Sequence, residues 1–176
     1  SHYITYSGIA SDGFDIAVLN SGSIGCTFDF CRRLIRGFTA SLKIVEEPDN
    51  IIGLRANDTS YINAQIRGIG GNTVGIDATR FGGCTTFDNC IIEGDISIGF
   101  KLVNGGEVIN PGSIHWDRTY MKSCWFEAVS TKVGELTNTH LEMHNCFLLV
   151  EFLFTKRMRL VSCISKVAPT TTEPLF

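Results

Sequence analysis

Phe87-Asp88-Asn89-Cys90-Ile91-Ile92 decides how this chain is read, because it recurs. Met121-Lys122-Ser123-Cys124-Trp125-Phe126 and Met143-His144-Asn145-Cys146-Phe147-Leu148 have the same form. Leu160-Val161-Ser162-Cys163-Ile164-Ser165 matches up to a polar last position, and Tyr61-Ile62-Asn63-Ala64-Gln65-Ile66 carries Ala in place of Cys. Phe28-Asp29-Phe30-Cys31 is a weaker copy, tied to the first by the shared triplets Thr27-Phe28-Asp29 and Thr86-Phe87-Asp88. The common pattern is apolar, any, Asn or Ser, Cys or Ala, any, apolar.

This pattern describes a bent strand. Asn tolerates the left-handed backbone region, and Asn and Ser side chains both bond nearby backbone, so either marks a corner. A corner disturbs the strict alternation of a strand and lets inward residues flank it. The position after the corner wants a small side chain, hence Cys or Ala. The residue two further on points inward again: Ile66, Ile92, Phe126 and Leu148. Long segments of 3.6-residue periodicity are missing, and β-branched, Phe, Gly and Asn residues are frequent, so the expected class is all-β.

The anchors fall at 31, 64, 90, 124, 146 and 163, with steps of 33, 26, 34, 22 and 17 residues. Variable steps between similar short strands fit coils carrying loops of different length. The expectation is a single-stranded right-handed parallel β-helix over residues 1–168, with 169–176 as an extended tail. Six coils at a strand spacing of roughly 4.8 Å stack to about 30 Å. The competing fold is a β-sandwich of hairpins, but Asn-Gly and Asp-Gly turn pairs occur only at Asn104-Gly105 and Asp12-Gly13.

Composition narrows the function. The 176 residues are 44% hydrophobic and 19% charged, enough apolar content for a core. Fifteen basic against eighteen acidic residues give a net charge of −3, which disfavours a nucleic-acid partner. The longest apolar stretch, Cys146 to Phe154, is interrupted by Glu151 and is too short for membrane insertion. Seven cysteines without a Cys-x-x-Cys pair do not match zinc spacing, so no metal and no cofactor is expected. They read as small, reduced, buried hydrophobes. There is no Gly-Lys-Ser or Gly-Lys-Thr phosphate loop and no Gly-x-Ser-x-Gly elbow. Cys146 with His144 or His140 is a conceivable nucleophile pair, but the repeat assigns Cys146 to the interior, where thiols are inert.

If the corner Cys points in, the residue after it points out, and so does the third after it. Stacking then forms one outer column of Arg67, Glu93 and Glu127, beside a second of Gln65, Ile91, Trp125 and Phe147. Carboxylates on adjacent strands start about 5 Å apart at the backbone, which suits a glycosidase pair. Glu93 and Glu127 are therefore the candidate catalytic acids. Trp125 offers an apolar face to a sugar ring, and Arg67 and Gln65 offer hydrogen bonds. The ordinary alternative is that both glutamates are solvated strand residues. The run Phe147-Leu148-Leu149-Val150, continued by Phe152-Leu153-Phe154, is too apolar for one face of a strand. A second cover is expected there, preferably a neighbouring subunit.

His115-Trp116-Asp117-Arg118 lies in the long step between Cys90 and Cys124, on an expected loop. Loops carry function. Asp117 is a third candidate acid or base and Trp116 a candidate sugar contact, against the alternative of a Trp packed beneath its loop.

Taken together, the Asn-Cys and Ser-Cys corners at 89–90, 123–124, 145–146 and 162–163 and the Thr-Phe-Asp copies resemble the right-handed β-helix domains of bacteriophage tailspikes, of the pectate-lyase-like superfold. The resemblance spans residues 24–165 and marks an architecture. It implies a homotrimer in the virion tail that binds, and often hydrolyses, bacterial surface polysaccharide during host attachment. It transfers no catalytic motif, because such spikes place their acids differently from one another. The clustered Asp residues of calcium-dependent pectate lyases are missing. Two alternatives stand beside it: a non-catalytic trimeric receptor-binding module, and a monomeric polyuronide-degrading enzyme. Ser1-His2-Tyr3 lacks an initiating Met, so the chain is expected to be a fragment of a longer spike.

Overall fold

A computed structural model describes residues 5–8, 11–12, 16–21, 26–38, 40–47, 59–70, 73–79, 85–103, 118–127, 129–137, 140–148, 153–154, 158–165 and 170–171. These residues form an all-β protein. Every strand pairing among them is parallel, and the main ladders run in chain order. Parallel neighbours cannot be joined by tight hairpins, so the hairpin sandwich is not what forms.

Three ladders carry the fold. The first holds Thr5–Ser7, Thr27–Asp29, Ser60–Ile62, Thr85–Asp88, Arg118–Lys122, His140–His144 and Met158–Val161. The second, entered after each corner, runs from Ser11–Asp12 through Leu34–Gly37, Gln65–Ile69, Ile91–Val103, Trp125–Phe126 and Phe147–Leu148 to Ile164–Ser165. The long strand Ile91–Val103 shifts register between Ile96 and Ile98 and passes into a third ladder. That ladder comprises Ile16–Ser21, Leu42–Glu47, Val74–Thr79 and Val129–Thr137 together with the end of the long strand. Leu153–Phe154 pairs separately with Thr170–Thr171, the described part of the 169–176 segment.

The corners are as the motif requires. Asn63, Asn89, Ser123, Asn145 and Ser162 all have left-handed φ between 53° and 58°. Gly8 (φ 74°) takes the same place after Thr5–Ser7, an additional level that carries no motif because glycine alone satisfies the corner. The N–H groups of Gly8, Asn63, Asn89, Ser123 and Asn145 donate across to the next level, for example Asn89 N–H to Lys122 C=O and Ser123 N–H to His144 C=O, both at 2.9 Å. The three ladders share one core. In the first ladder the rings of Tyr6, Phe28, Tyr61 and Phe87 stack at 5.0, 5.1 and 5.4 Å, and Met121, Met143 and Leu160 continue the file in register. Ile35, Ile66, Ile92, Phe126 and Leu148 form the second file. Phe100 swings into the space that Gly134 leaves, where a Cβ would lie 2.0 Å from the ring.

Ala64, Cys90, Cys124 and Cys146 are buried after their corners, and Cys163, at the end of the stack, is half-buried. The thiols do more than fit. Cys124 Sγ donates to Lys122 C=O (3.4 Å) and to Phe87 C=O (3.6 Å), and Cys146 Sγ to His144 C=O (3.5 Å) and Met121 C=O (3.4 Å). Sulfur therefore adds weak hydrogen bonds to two corner carbonyls, which Ala64 forgoes. Cys26 is buried in register with Thr59, Thr85 and Thr119, a small-residue file at the start of the first ladder. Cys84 lies outside the described residues.

Cys31 is a correction. It is exposed, and Phe30 is the inward residue. Asp29 pairs with Ile62 and Leu34 with Gln65, so four residues stand here where Asn63 and Ala64 stand in the next level. The two extra residues push Cys31 and Arg32, both left-handed (φ 51° and 56°), out into a turn closed by Arg33 N–H to Phe30 C=O at 2.8 Å.

Candidate functional site

The outer face of the second ladder assembles the expected columns. Arg36, Arg67 and Glu93 are register partners. Glu127 joins them, because its N–H donates to Ile92 C=O at 2.8 Å, the bond made by a residue paired with Glu93 in a parallel ladder. Alongside run Leu34, Gln65, Ile91, Trp125, Phe147 and Ile164, each paired with the next. The corner fixes this placement: Cys or Ala turns in, so the next residue turns out.

Side chains link the two columns. Gln65 Nε2 donates to Glu93 Oε1 at 2.9 Å, and Trp125 Nε1 donates to Glu127 Oε2 at 2.9 Å. Each carboxylate is thereby oriented by a neighbour two residues earlier on its own strand or one level below. Trp125 is 39% exposed, and its ring stacks on Phe147 at 4.2 Å with a 24° tilt. The indole face toward Phe147 is thus covered within the column, and the exposed remainder of the ring is what Trp125 presents to a ligand. Ile164, 61% exposed, ends an apolar stripe that strengthens toward the C-terminal levels. Charge is ordered along the polar column: Arg36 and Arg67 first, then Glu93 and Glu127. Leu149 to Phe152, His115, Trp116 and Asp117 lie outside the described residues.

A second polar group lies on the outer face of the first ladder. Glu142 Oε2 is 3.1 Å from His144 Nε2, and Arg159 Nη1 is 3.4 Å from Glu142 Oε1. Tyr120, Glu142 and Arg159 are register partners, as are Asp88, Lys122 and His144. Lys122 Nζ lies 5.8 Å from the Tyr120 ring centroid. These residues stand four and two positions before their corner cysteines, so alignment on the cysteines carries their signal as well.

At the corners, Asn89 Nδ2 donates to Asn63 Oδ1 (2.8 Å), Asn63 Nδ2 to Asp29 Oδ1 (3.0 Å), and Cys31 N–H to the same oxygen (2.8 Å). Arg32 completes the row by donating to Asn89 Oδ1. The Asn63 amide, then the Cys31 N–H, hold the Asp29 carboxyl below its ordinary range. In the thiol file, hydrogen bonding to Cys146 and Cys90, with burial, holds Cys124 well above its usual range. Among the described residues no group of three or more His, Cys, Asp or Glu side chains is arranged to hold a metal, and no helix is long and apolar enough to cross a membrane. No family model, curated protein or solved structure matches the chain.

Proposed function

We propose that the chain is a right-handed parallel β-helix module of the phage-tailspike kind, assembled as a trimer in the virion tail. In this reading the Arg67–Glu93–Glu127 side binds bacterial surface polysaccharide. The observation that carries it is the in-register double column. Six successive levels present one outward residue each at roughly 4.8 Å intervals, a spacing suited to an extended chain of sugar units. Arg36, Arg67, Gln65 and the carboxylates supply the polar contacts, and the exposed parts of the Trp125 and Phe147 rings supply the apolar ones.

The order of charge separates the two roles open to this face. Parallel copies around a threefold axis bring equal levels together. On such an axis Arg67 would meet Arg67 and Glu93 would meet Glu93, and facing like charges are destabilising. In this reading the column is therefore kept off the threefold axis and assigned to the glycan.

Hydrolysis is the second reading, favoured by the adjacency of Glu93 and Glu127 and by the distinct hydrogen bond each accepts. One acid would protonate the leaving oxygen while the other acts as base or nucleophile. Binding is tested with capsule and lipopolysaccharide fragments by calorimetry. Arg67→Ala and Trp125→Ala should each weaken binding at least about tenfold, on the scale of 1.4 kcal/mol per decade. Unchanged affinity in both removes the column from the glycan site. Reducing-sugar release tests catalysis, and full release by both Glu93→Gln and Glu127→Gln would leave the pair without a catalytic role.

A further inference from the structure

Cys146 and Cys163 stand on consecutive levels, joined by Ile164 N–H to Cys146 C=O at 2.9 Å. Their thiols are set alike. Cys146 Sγ donates to Met121 C=O at 3.4 Å, and Cys163 Sγ to Met143 C=O at 3.3 Å; Met121 and Met143 are themselves register partners. Equivalent bonds to equivalent atoms mean that one sulfur is the other displaced by about one strand spacing, roughly 4.8 Å. Two metal–sulfur bonds of about 2.3 Å laid end to end span about 4.6 Å.

We propose that this thiol pair is a two-coordinate site for a soft, closed-shell metal ion, held linearly between the Cys146 and Cys163 sulfurs. Soft thiolates select such ions. A disulfide is the poorer link, since side chains displaced by a full strand spacing hold their Cβ atoms beyond the roughly 3.5–4.5 Å that the bond needs. Tetrahedral ions are poorly served, because no third protein ligand converges among the described residues. With mercury(II) chloride the step balances without redox change: two S–H and two Hg–Cl bonds break, two S–Hg bonds form, and two protons and two chloride ions leave to solvent. The product is neutral, which suits the apolar interior. Cys146 is buried, whereas Cys163, half-buried on the last described corner, gives the ion its way in.

The test uses the full chain with Cys31→Ser and Cys84→Ser, which removes the exposed thiol and the one outside the described residues. One equivalent of mercury(II) chloride is added, and X-ray absorption reads the metal's shell. The expected result is two sulfurs at about 2.3 Å, two protons released per ion, and at least tenfold weaker uptake in both Cys146→Ala and Cys163→Ala. Ala64 already occupies the equivalent corner, so Ala is compatible with the fold. Should Cys146→Ala fail to fold, Cys163→Ala, at the edge of the stack, reads the same loss. A shell of one, three or four sulfurs would overturn the proposal, as would unchanged uptake in the folded variants.

Discussion

The corner at residues 30–33 and the corner at 89–90 turn the chain between the same two ladders by different means. At 89–90 one left-handed Asn is followed by one small inward Cys. At 30–33 a Phe fills the interior, two left-handed residues stand outside, and the cysteine is exposed. A short corner brings the strands close and leaves room for a small side chain alone. A corner longer by two residues opens that space, and a large ring closes it. Inward volume is thus set by corner length, and a cysteine in the sequence marks the interior only where the corner is short.

The largest effect should come from exchanging the roles of Phe30 and Cys31. Phe30→Ala removes a fully buried ring and should cost about 3–5 kcal/mol in denaturant unfolding. Cys31→Ala should fall within about 0.5 kcal/mol of the parent, as exposed substitutions do. Equal costs would erase the distinction between the two corners.

Asn89→Val tests the short corner. A β-branched residue at φ 56° is strained by about 1–3 kcal/mol, and the amide bond to Asn63 is lost as well. Asn89→Gly relieves the backbone strain and should lose less. If Val and Gly behave alike in thermal unfolding, the left-handed corner is not what holds the turn.

The smallest effect is pH-dependent and belongs to the long corner. Asp29 has its pKa lowered in the folded state by the Asn63 amide and the Cys31 N–H. A carboxyl lowered on folding contributes stability above its unfolded pKa and loses it as pH falls through the folded one. Melting temperature should therefore drop on acidification below about pH 4, and less steeply in Asp29→Asn. An identical acid slope in both proteins would show that the Asp29 contacts carry no stability.

Much of this was legible in the sequence where the corners are short. The inward set Ala64, Cys90, Cys124 and Cys146, and the outward set Gln65, Arg67, Glu93, Trp125 and Glu127, follow from one motif and the alternation of a strand. The Cys31 corner is not legible because the Thr-Phe-Asp copies align the strand before it, while the two inserted residues come after. The third ladder carries no shared motif: Leu42, Ile76 and Phe100 pair across loops of unequal length, so spacing does not reveal them. The Glu142–His144–Arg159 group is hidden in the sequence for a different reason. Its members sit before the corner, at strand positions that the corner motif leaves unspecified. The hydrogen bonds of the thiols were also hidden, since Ala64 made the position look like a demand for size alone.

The register of the whole account rests on which cysteines face inward, and timed alkylation of the native protein, read by peptide mass spectrometry, measures that directly. The account predicts rapid labelling of Cys31, slower labelling of Cys163, and protection of Cys90, Cys124 and Cys146 until the protein unfolds. Labelling of the corner cysteines as fast as Cys31 would contradict it, and would remove the outer column together with the inner file.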